Sequence, residues 1–113
     1  MSNNFLYILT FFIFSAFNTH AQKVYSVNHS HQADINVYVV DYKQQADLSV
    51  YKVDYSHQAG NNDGKWFFAD YSHRADKLLY FVDYQHQADI KIYFVDYQHK
   101  AGWNNKTKKY IFY

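Results

Sequence analysis

The string Tyr80-Phe81-Val82-Asp83-Tyr84-Gln85-His86-Gln87-Ala88-Asp89 returns 13 residues later as Tyr93-Phe94-Val95-Asp96-Tyr97-Gln98-His99-Lys100-Ala101-Gly102. The underlying pattern, Y-x-V-D-Y-x-x-Q-A-D, can be followed back almost to residue 22. Its six units begin at Tyr25, Tyr38, Tyr51, Phe67, Tyr80 and Tyr93. A fixed short period of this kind indicates that the chain repeats one structural unit.

The spacing of the units divides the chain into two groups of three consecutive units, which we call the first lap (units one to three) and the second lap (units four to six). Units are 13 residues apart, except that 16 residues separate the third from the fourth. The loop Gly60-Asn61-Asn62-Asp63-Gly64-Lys65 supplies the extra residues, and a similar loop, Gly102-Trp103-Asn104-Asn105-Lys106, follows the sixth unit. The apolar ending Tyr110-Ile111-Phe112-Tyr113 predicts one further, terminal strand.

Each unit is predicted to contain one strand and one turn. Residues 90–97 are rich in β-branched and aromatic side chains and show no helical spacing. Alternation places Ile90, Ile92 and Phe94 on one face and Tyr93 on the other, so both faces carry large apolar groups. The five residues that follow are too few for a crossover helix. The predicted fold is therefore all-β: a compact single domain of six strand-turn repeats plus a terminal strand.

Composition limits the functions that this chain can have. Its 113 residues include no cysteine, which excludes disulfides, thiolate metal sites and a cysteine nucleophile. Aromatic residues make up 22% of the chain, which favours a folded domain over disorder. The net charge of +1 favours no nucleic-acid partner. Because no nucleophile elbow, phosphate loop or zinc-hydrolase helix is present, no catalytic residue and no cofactor are predicted.

The first segment has the pattern of a signal peptide. An apolar run extends from Phe5 to Phe17, and Thr19-His20-Ala21 offers the small residues that a signal peptidase reads. The run is shorter than the roughly 20 residues of a membrane span, although an uncleaved anchor is the alternative. We therefore expect a signal peptide over 1–21, a mature domain over 22–113, no membrane span after cleavage, and secretion to the periplasm or the extracellular space.

Nine of the ten aspartates fall in two columns of the repeat. The column at the strand ends is Asp41, Asp54, Asp70, Asp83 and Asp96. The column after the alanine is Asp34, Asp47, Asp76 and Asp89, and only Asp63 lies outside both. A carboxylate at a strand end can accept hydrogen bonds from the next backbone N–H groups, so the strand-end column is predicted to cap the turns. One alternative is a row of calcium sites along the repeat, but the units lack the glycine of an EF-hand loop. The other is a catalytic carboxylate pair, but identical units do not offer the two different environments that an acid and a base require.

The histidines form the column with the clearest potential for chemistry. It consists of His31, His57, His73, His86 and His99, with Gln44 in the second unit. Converging imidazoles bind zinc, copper or nickel, which makes His57, His73, His86 and His99 candidate metal ligands. A regular repeat spreads equivalent side chains apart, however, and a metal site needs three or four ligands around one point. Exposed turn histidines without a metal are therefore the preferred interpretation.

Two groups of aromatic residues are candidates for ligand binding. Trp66 and Trp103 each adjoin one of the long loops and are predicted to be exposed, ligand-binding side chains. The tyrosine columns could stack on sugars, but strand tyrosines are more often packing groups, and packing is the preferred prediction. These columns are Tyr42, Tyr55, Tyr71, Tyr84 and Tyr97, and Tyr25, Tyr38, Tyr51, Tyr80 and Tyr93.

The repeated Y-F-V-D-Y-x-x-Q-A-D string and the ending Ala101-Gly102-Trp103 resemble the 7(1) septoil knot domain family. The resemblance covers nearly all of the mature chain, from about Lys23 to Tyr113. It implies that the repeated strands wind into a deep knot with seven crossings. The resemblance implies no activity, cofactor or catalytic residue. Asn28-His29 in the first unit and Ala69 in the fourth depart from the repeat.

The leading functional hypothesis is a secreted, non-enzymatic structural or binding module that is kinetically stable through its knotted β fold. Its ligand and partner are not identified by the sequence, and a monomer is the simplest expectation. A glycan- or metal-binding protein of the cell envelope is the main alternative. A small secreted enzyme or toxin is the third.

Overall fold

The strands and turns confirm the all-β prediction. A computed structural model describes residues 22–113, so the predicted signal peptide lies outside the described residues. The strands are β1 (Lys23–Ser26), β2 (Ile35–Val39), β3 (Leu48–Lys52), β4 (Lys65–Phe68), β5 (Lys77–Phe81), β6 (Ile90–Phe94) and β7 (Gly102–Trp103). Short 3-10 turns follow the sequence repeat at Ser30–Gln32, Lys43–Gln45, Ser56–Gln58, Ser72–Arg74, Gln85–Gln87 and Gln98–Lys100. Each repeat therefore forms one strand and one turn.

The first six strands close into a parallel barrel. Their order is β4-β1-β5-β2-β6-β3, and β3 also pairs with β4, which completes the ring. All pairings within the ring are parallel. A closed ring leaves no strand edge open to pair with another chain. Strands of the first lap, β1 to β3, alternate around the ring with strands of the second lap, β4 to β6, so the two laps are interleaved.

Each strand is staggered relative to its two neighbours. In β5, Leu78 lies opposite Tyr25 of β1, whereas Phe81 lies opposite Val37 of β2. Because β2 begins at the level where β1 ends, the short turn Ser30–Gln32 can join these two parallel strands. Parallel strands usually need a crossover of a dozen or more residues. The stagger removes the need for that long return.

The turns cross over strands of the other lap. Ser30–Gln32 lies against β5, Lys43–Gln45 against β6, Ser72–Arg74 against β1, Gln85–Gln87 against β2, and Gln98–Lys100 against β3. Each lap therefore passes outside the other several times around the ring. Large side chains on the outward faces of the strands, such as Tyr93, are half-buried.

Side chains from all six strands fill the barrel. Its core comprises Val24, Ile35, Val37, Leu48, Val50, Trp66, Leu79, Ile90 and Ile92, each with 2% or less of its surface exposed. The predicted alternation in β6 is confirmed, since Ile90 and Ile92 are fully buried and Tyr93 is not. Burial of apolar surface on this scale is the main stabilising contribution to a small domain.

The second aspartate column joins the two laps. Asp89 donates its backbone N–H to the carbonyl of Asn36 at 2.8 Å, and its carboxylate accepts the N–H of Asn36, also at 2.8 Å. Asp34 forms the same two-point pair with Leu78. The complete set of pairs is Asp34 with Leu78, Asp47 with Lys91, Asp76 with Lys23, and Asp89 with Asn36. In each pair the aspartate carboxylate accepts the partner's backbone N–H, which in an ordinary strand pairing would be accepted by a backbone carbonyl.

This arrangement corrects the predicted turn caps. Within residues 22–113 the strand-end carboxylates are exposed and accept no hydrogen bond; they are Asp41, Asp54, Asp70, Asp83 and Asp96. The last N–H groups of each turn bond instead to backbone carbonyls three residues earlier. In the fifth unit, for example, Gln87 donates to Tyr84 and Ala88 donates to Gln85. The stabilising carboxylates are those that face a strand of the other lap.

In the third unit, Asp63 replaces the missing column aspartate. Gly60 occupies the aspartate position and donates its N–H to the carbonyl of Lys65, while the Asp63 carboxylate accepts the N–H of Lys65 at 3.2 Å. A methyl group built on Gly60 would overlap the Asp63 carboxylate. Asp63 lies three residues after the column position, and its carboxylate occupies the space that the side chain of a column aspartate fills in the other units. Asp63 lies outside both aspartate columns, but it accepts a backbone N–H from a neighbouring strand just as the aspartates of the second column do.

The end of the chain differs from the prediction of a terminal strand. The seventh strand is the short β7, which runs antiparallel to β3, and Lys106–Phe112 forms a 3-10 helix. Asn105 begins this helix by accepting the N–H of Thr107 through its side chain. The helical path brings Phe112, 4% exposed, against Trp66, whereas a strand would have alternated its apolar residues on two faces.

Asp47 attaches this terminal segment to the barrel. Its carbonyl accepts the N–H groups of Asn104 and Asn105 at 2.8 and 2.9 Å. Its carboxylate, in addition to pairing with Lys91, accepts the side-chain amide of Asn105 at 3.3 Å and lies 3.4 Å from the ammonium of Lys108. Asp47 is buried, unlike the other three members of its column.

Among the described residues, the structure has no helix with the length and hydropathy that a membrane span requires.

Candidate functional site

The most conspicuous surface feature is the set of repeated turns. We use the name aromatic turns for the five Asp-Tyr-x-His or Asp-Tyr-x-Gln segments that begin at Asp41, Asp54, Asp70, Asp83 and Asp96. In each turn the tyrosine is the last extended residue before the 3-10 segment; Tyr84, for example, has φ −127° and ψ 138°. The tight 3-10 turn then directs the histidine two residues later towards the same side. The local sequence therefore places both rings on the outside of the barrel.

The tyrosine ring in four of the aromatic turns stacks on the histidine. The distances between ring centroids are 5.8 Å for Tyr55 and His57, 5.6 Å for Tyr71 and His73, 5.9 Å for Tyr84 and His86, and 5.8 Å for Tyr97 and His99. The planes lie within 30° of each other. Gln44 replaces the histidine in the second unit, and in the first unit His29 stacks on His31 at 5.6 Å. Stacking fixes the rings while they stay in contact with solvent.

The packing prediction is wrong for these five tyrosines. Tyr42, Tyr55, Tyr71, Tyr84 and Tyr97 are 57–62% exposed. They follow the strands instead of belonging to them, which the aspartate before each of them could have indicated. Two also lie beneath cations: Arg74 is 5.7 Å from the ring centre of Tyr71, and Lys100 is 5.2 Å from that of Tyr97. The other tyrosine column is half-buried on the strands.

The candidate metal ligands are not brought together. Within residues 22–113, no three histidine or acidic side chains lie close enough to hold a metal ion. His57, His73, His86 and His99 are each engaged with the tyrosine of their own turn. The repeat therefore distributes the imidazoles over the surface instead of focusing them on one point.

The tryptophans do not form an exposed binding pair. Trp66 is 1% exposed and lies in the core, because the alternation of β4 directs it inward, so its predicted role as a surface ligand-binding residue is wrong. Trp103 is half-buried, packs edge-on against Phe112 at 5.9 Å, and donates its indole N–H to the carbonyl of Asn62 at 2.9 Å. Its polar atom thus serves to hold the loop between the laps.

Two surface clefts lie beside aromatic turns of the second lap. One, of about 560 Å³, is lined by Tyr84, Gln85, His86, Ala88, Lys91 and Lys108. The other, of about 480 Å³, is lined by Asp63, Lys65, Gln98, His99 and Ala101. The same positions of the repeat, the residue before the histidine, the histidine and the alanine, line both clefts. The repeat therefore produces similar recesses at successive units.

Comparison with known families assigns most of the described chain to one of them. Residues 21–104 match the family model described as the 7(1) septoil knot domain. No curated protein and no solved structure matches the chain. The match includes all six strand-turn units and ends before the 3-10 helix Lys106–Phe112. A closed barrel with interleaved laps fits the knotted β fold of that family.

Proposed function

The chain belongs to the 7(1) septoil knot domain family, and from this premise we propose that it is a secreted, non-enzymatic structural or binding module whose knotted barrel keeps it folded for long periods. The observation that supports the proposal is the interlocking of the two laps. Unfolding has to withdraw turns such as Gln85–Gln87 from across strands of the other lap, which slows it. A module that persists without disulfides would suit a secreted protein.

Recognition is proposed to occur on the outside of the barrel. The core residues that fill the interior have 2% or less of their surface exposed. Phe112 adds to this core, and the ammonium of Lys52 lies over the rings of Phe68 and Phe94 at 4.9 and 4.8 Å. A filled interior of this kind leaves the external turns and their clefts as the surfaces available to a ligand.

The repeat itself favours binding over catalysis. An enzyme needs an acid, a base or a nucleophile in environments that differ from one another. The aromatic turns present nearly the same residues five times, in nearly the same conformation. Repeated equivalent surfaces suit multivalent binding. A small enzyme or toxin and a metal-binding envelope protein are the less favoured functions.

A cut between the two laps tests the interlocking. A protease recognition sequence inserted after the exposed Asn61 permits the chain to be cleaved between β3 and β4 without removing any strand. Unfolding in concentrated denaturant is then followed by tryptophan fluorescence. We expect the uncut insertion variant to unfold with a rate constant of about 10⁻⁴ s⁻¹ or slower in water, and the cut protein to unfold at least tenfold faster.

The uncut insertion variant and the wild-type chain are the controls. The wild-type chain measures the effect of the insertion itself, which we expect to speed unfolding because it adjoins the buried Asn62, whose carbonyl accepts the indole N–H of Trp103. The comparison of the cut with the uncut insertion variant therefore isolates the effect of the cut. Equal unfolding rates for the cut and uncut protein, or an uncut protein that unfolds within seconds, would show that interlocking does not control persistence.

A further inference from the structure

We propose that the aromatic turns bind a polysaccharide of β-linked pyranose units, with individual sugar rings stacked on the exposed tyrosines. This inference rests on the proposed function as a binding module and names the ligand class of its external surface. The site is formed by the aromatic turns and the clefts beside them. The tyrosines involved are Tyr42, Tyr55, Tyr71, Tyr84 and Tyr97.

The rings of these turns have the exposure and order that stacking on a sugar requires. Each tyrosine is more than half exposed, yet in four turns a histidine holds the ring from one side. Within residues 22–113, Tyr55 and Tyr84 carry no cation on the second face, whereas Arg74 lies over Tyr71 and Lys100 over Tyr97, and these two flexible side chains have to move aside when a sugar ring binds. A β-linked pyranose presents an apolar face of axial C–H groups, which complements such a ring, and a fixed ring loses little conformational entropy on binding.

Polar side chains adjoin each tyrosine of the aromatic turns in the sequence, with an aspartate before it and a histidine or glutamine two residues after it. Within the described residues, carboxylates such as those of Asp83 and Asp96 accept no hydrogen bond from the protein. Glutamine and histidine side chains, such as Gln85 and His86, line the cleft next to Tyr84. Sugar hydroxyls both donate and accept, so carboxylates, amides and imidazoles arranged around an aromatic ring are suitable partners. The strand-end aspartates, which do not cap the turns, acquire a role in this way.

The clefts provide room for a sugar ring beside the stacked pair. The cleft at Tyr84 is shallow and open to solvent and measures about 560 Å³, so a sugar ring can lie against the tyrosine there without being enclosed. Lys91 and Lys108 also line this cleft, and the ammonium of Lys91 can donate to ring or hydroxyl oxygens. The cleft at His99 measures about 480 Å³, is similarly open, and has Lys65 among its lining residues. Two successive units thus combine a histidine with a nearby lysine.

Repetition favours a polymer of sugars over a protein surface. Nearly identical turns recognise nearly identical chemical groups, and a polysaccharide presents the same unit many times, whereas a protein epitope is not periodic. Weak binding at one turn becomes strong when several turns engage one chain. The net charge of +1 gives no general attraction to a polyanion, so a neutral sugar polymer fits best.

Affinity electrophoresis in gels containing soluble mixed-linkage β-glucan tests the proposal. The wild-type chain should be retarded by this polymer and not by dextran, and the retardation should persist at about 0.5 M salt, where charge attraction is screened. Titration with cellotetraose should show an affinity at least about 100-fold lower than that for the polymer, because the short chain cannot engage several turns.

Two variants locate the binding surface. The triple variant Tyr71→Ala, Tyr84→Ala and Tyr97→Ala should lose at least about tenfold in polymer affinity. The control is the double variant Tyr110→Ala and Tyr113→Ala, whose side chains are 68% and 79% exposed but lie outside the aromatic turns. It should bind like the wild type. If the triple variant fails to fold, the pair His86→Gln and His99→Gln, which reproduces the arrangement of Tyr42 and Gln44, should lower affinity while keeping the fold.

Absence of retardation by the β-glucan would overturn the inference. Equal losses in the turn and control variants would also overturn it, as would binding that is confined to polyanions and disappears in salt, or to a protein partner. These outcomes leave the unfolding-rate test of the proposed function unaffected, because that test requires no ligand.

Discussion

Replacing Asp47 by alanine should destabilise the protein more than replacing any strand-end aspartate. The carboxylate of Asp47 accepts the backbone N–H of Lys91 at 2.9 Å and the amide of Asn105 at 3.3 Å, and it lies 3.4 Å from the ammonium of Lys108. Its side chain is only 8% exposed, so water cannot readily replace these partners. Alanine would remove all three interactions at once.

The size of the loss follows from these contacts. The Lys91 N–H loses a charged acceptor, which is worth about 1.5–3 kcal/mol, and the Asn105 amide loses a bond of about 1 kcal/mol. The ion pair with Lys108, whose side chain is 36% exposed, adds less than about 1 kcal/mol. We expect the free energy of unfolding to fall by about 3 kcal/mol. For a domain of this size, the thermal midpoint would then drop by roughly 12–24 °C.

Thermal and urea denaturation of matched variants provide the measurement. Asp96→Ala removes a carboxylate that is exposed and accepts no hydrogen bond within residues 22–113, so its effect should stay within about 0.5 kcal/mol. Asp47→Asn keeps an acceptor oxygen for Lys91 without the charge and should fall between the two. If Asp47→Ala and Asp96→Ala shift the denaturation midpoint equally, the carboxylate does not join the laps as described.

Three further predictions concern Asp63, Trp66 and the histidines. Asp63→Ala should lower the free energy of unfolding by about 1 kcal/mol more than Asp83→Ala, since Asp63 accepts the Lys65 N–H; the opposite order in urea denaturation would restore the turn-cap interpretation. Trp66→Ala should cost about 3–5 kcal/mol because it leaves a cavity in the core, whereas Tyr113→Ala, 79% exposed, should stay within about 0.5 kcal/mol. Excess zinc should leave the thermal midpoint unchanged, since the described histidines do not converge; a specific site at 100 times its dissociation constant would instead add about 2.7 kcal/mol.

Features that depend on a few neighbouring residues could be predicted from the sequence. The repeat places one strand and one turn in each unit, and the alternation within residues 90–97 places Ile90 and Ile92 on the same face, which is the face that the structure buries. The loop containing Asn61 marks the boundary between the two laps. In these cases the deciding interactions lie within a strand or a turn, so the local pattern contains the necessary information.

The candidate site was predicted only in part. The sequence identifies the tyrosine and histidine columns as the residues with chemical potential, but it assigns Tyr84 and its equivalents to packing and Trp66 to the surface. Both assignments depend on which direction a side chain takes once the barrel has closed. Trp66 is drawn inward because β4 closes the ring between β1 and β3, whereas Tyr84 lies beyond the end of its strand and points outward.

The sequence by itself determined the repeat, the strands, the turns and the division into two laps, since each of these depends on residues close together in the chain. Only the tertiary structure decided which carboxylates matter. Asp89 pairs with Asn36, 53 residues away, and Asp47 pairs with Lys91, 44 residues away. Two columns of the same residue type are indistinguishable until the laps interleave. The physical reason is that a carboxylate stabilises the fold only where an N–H group without another partner faces it, and here the other lap provides that N–H group.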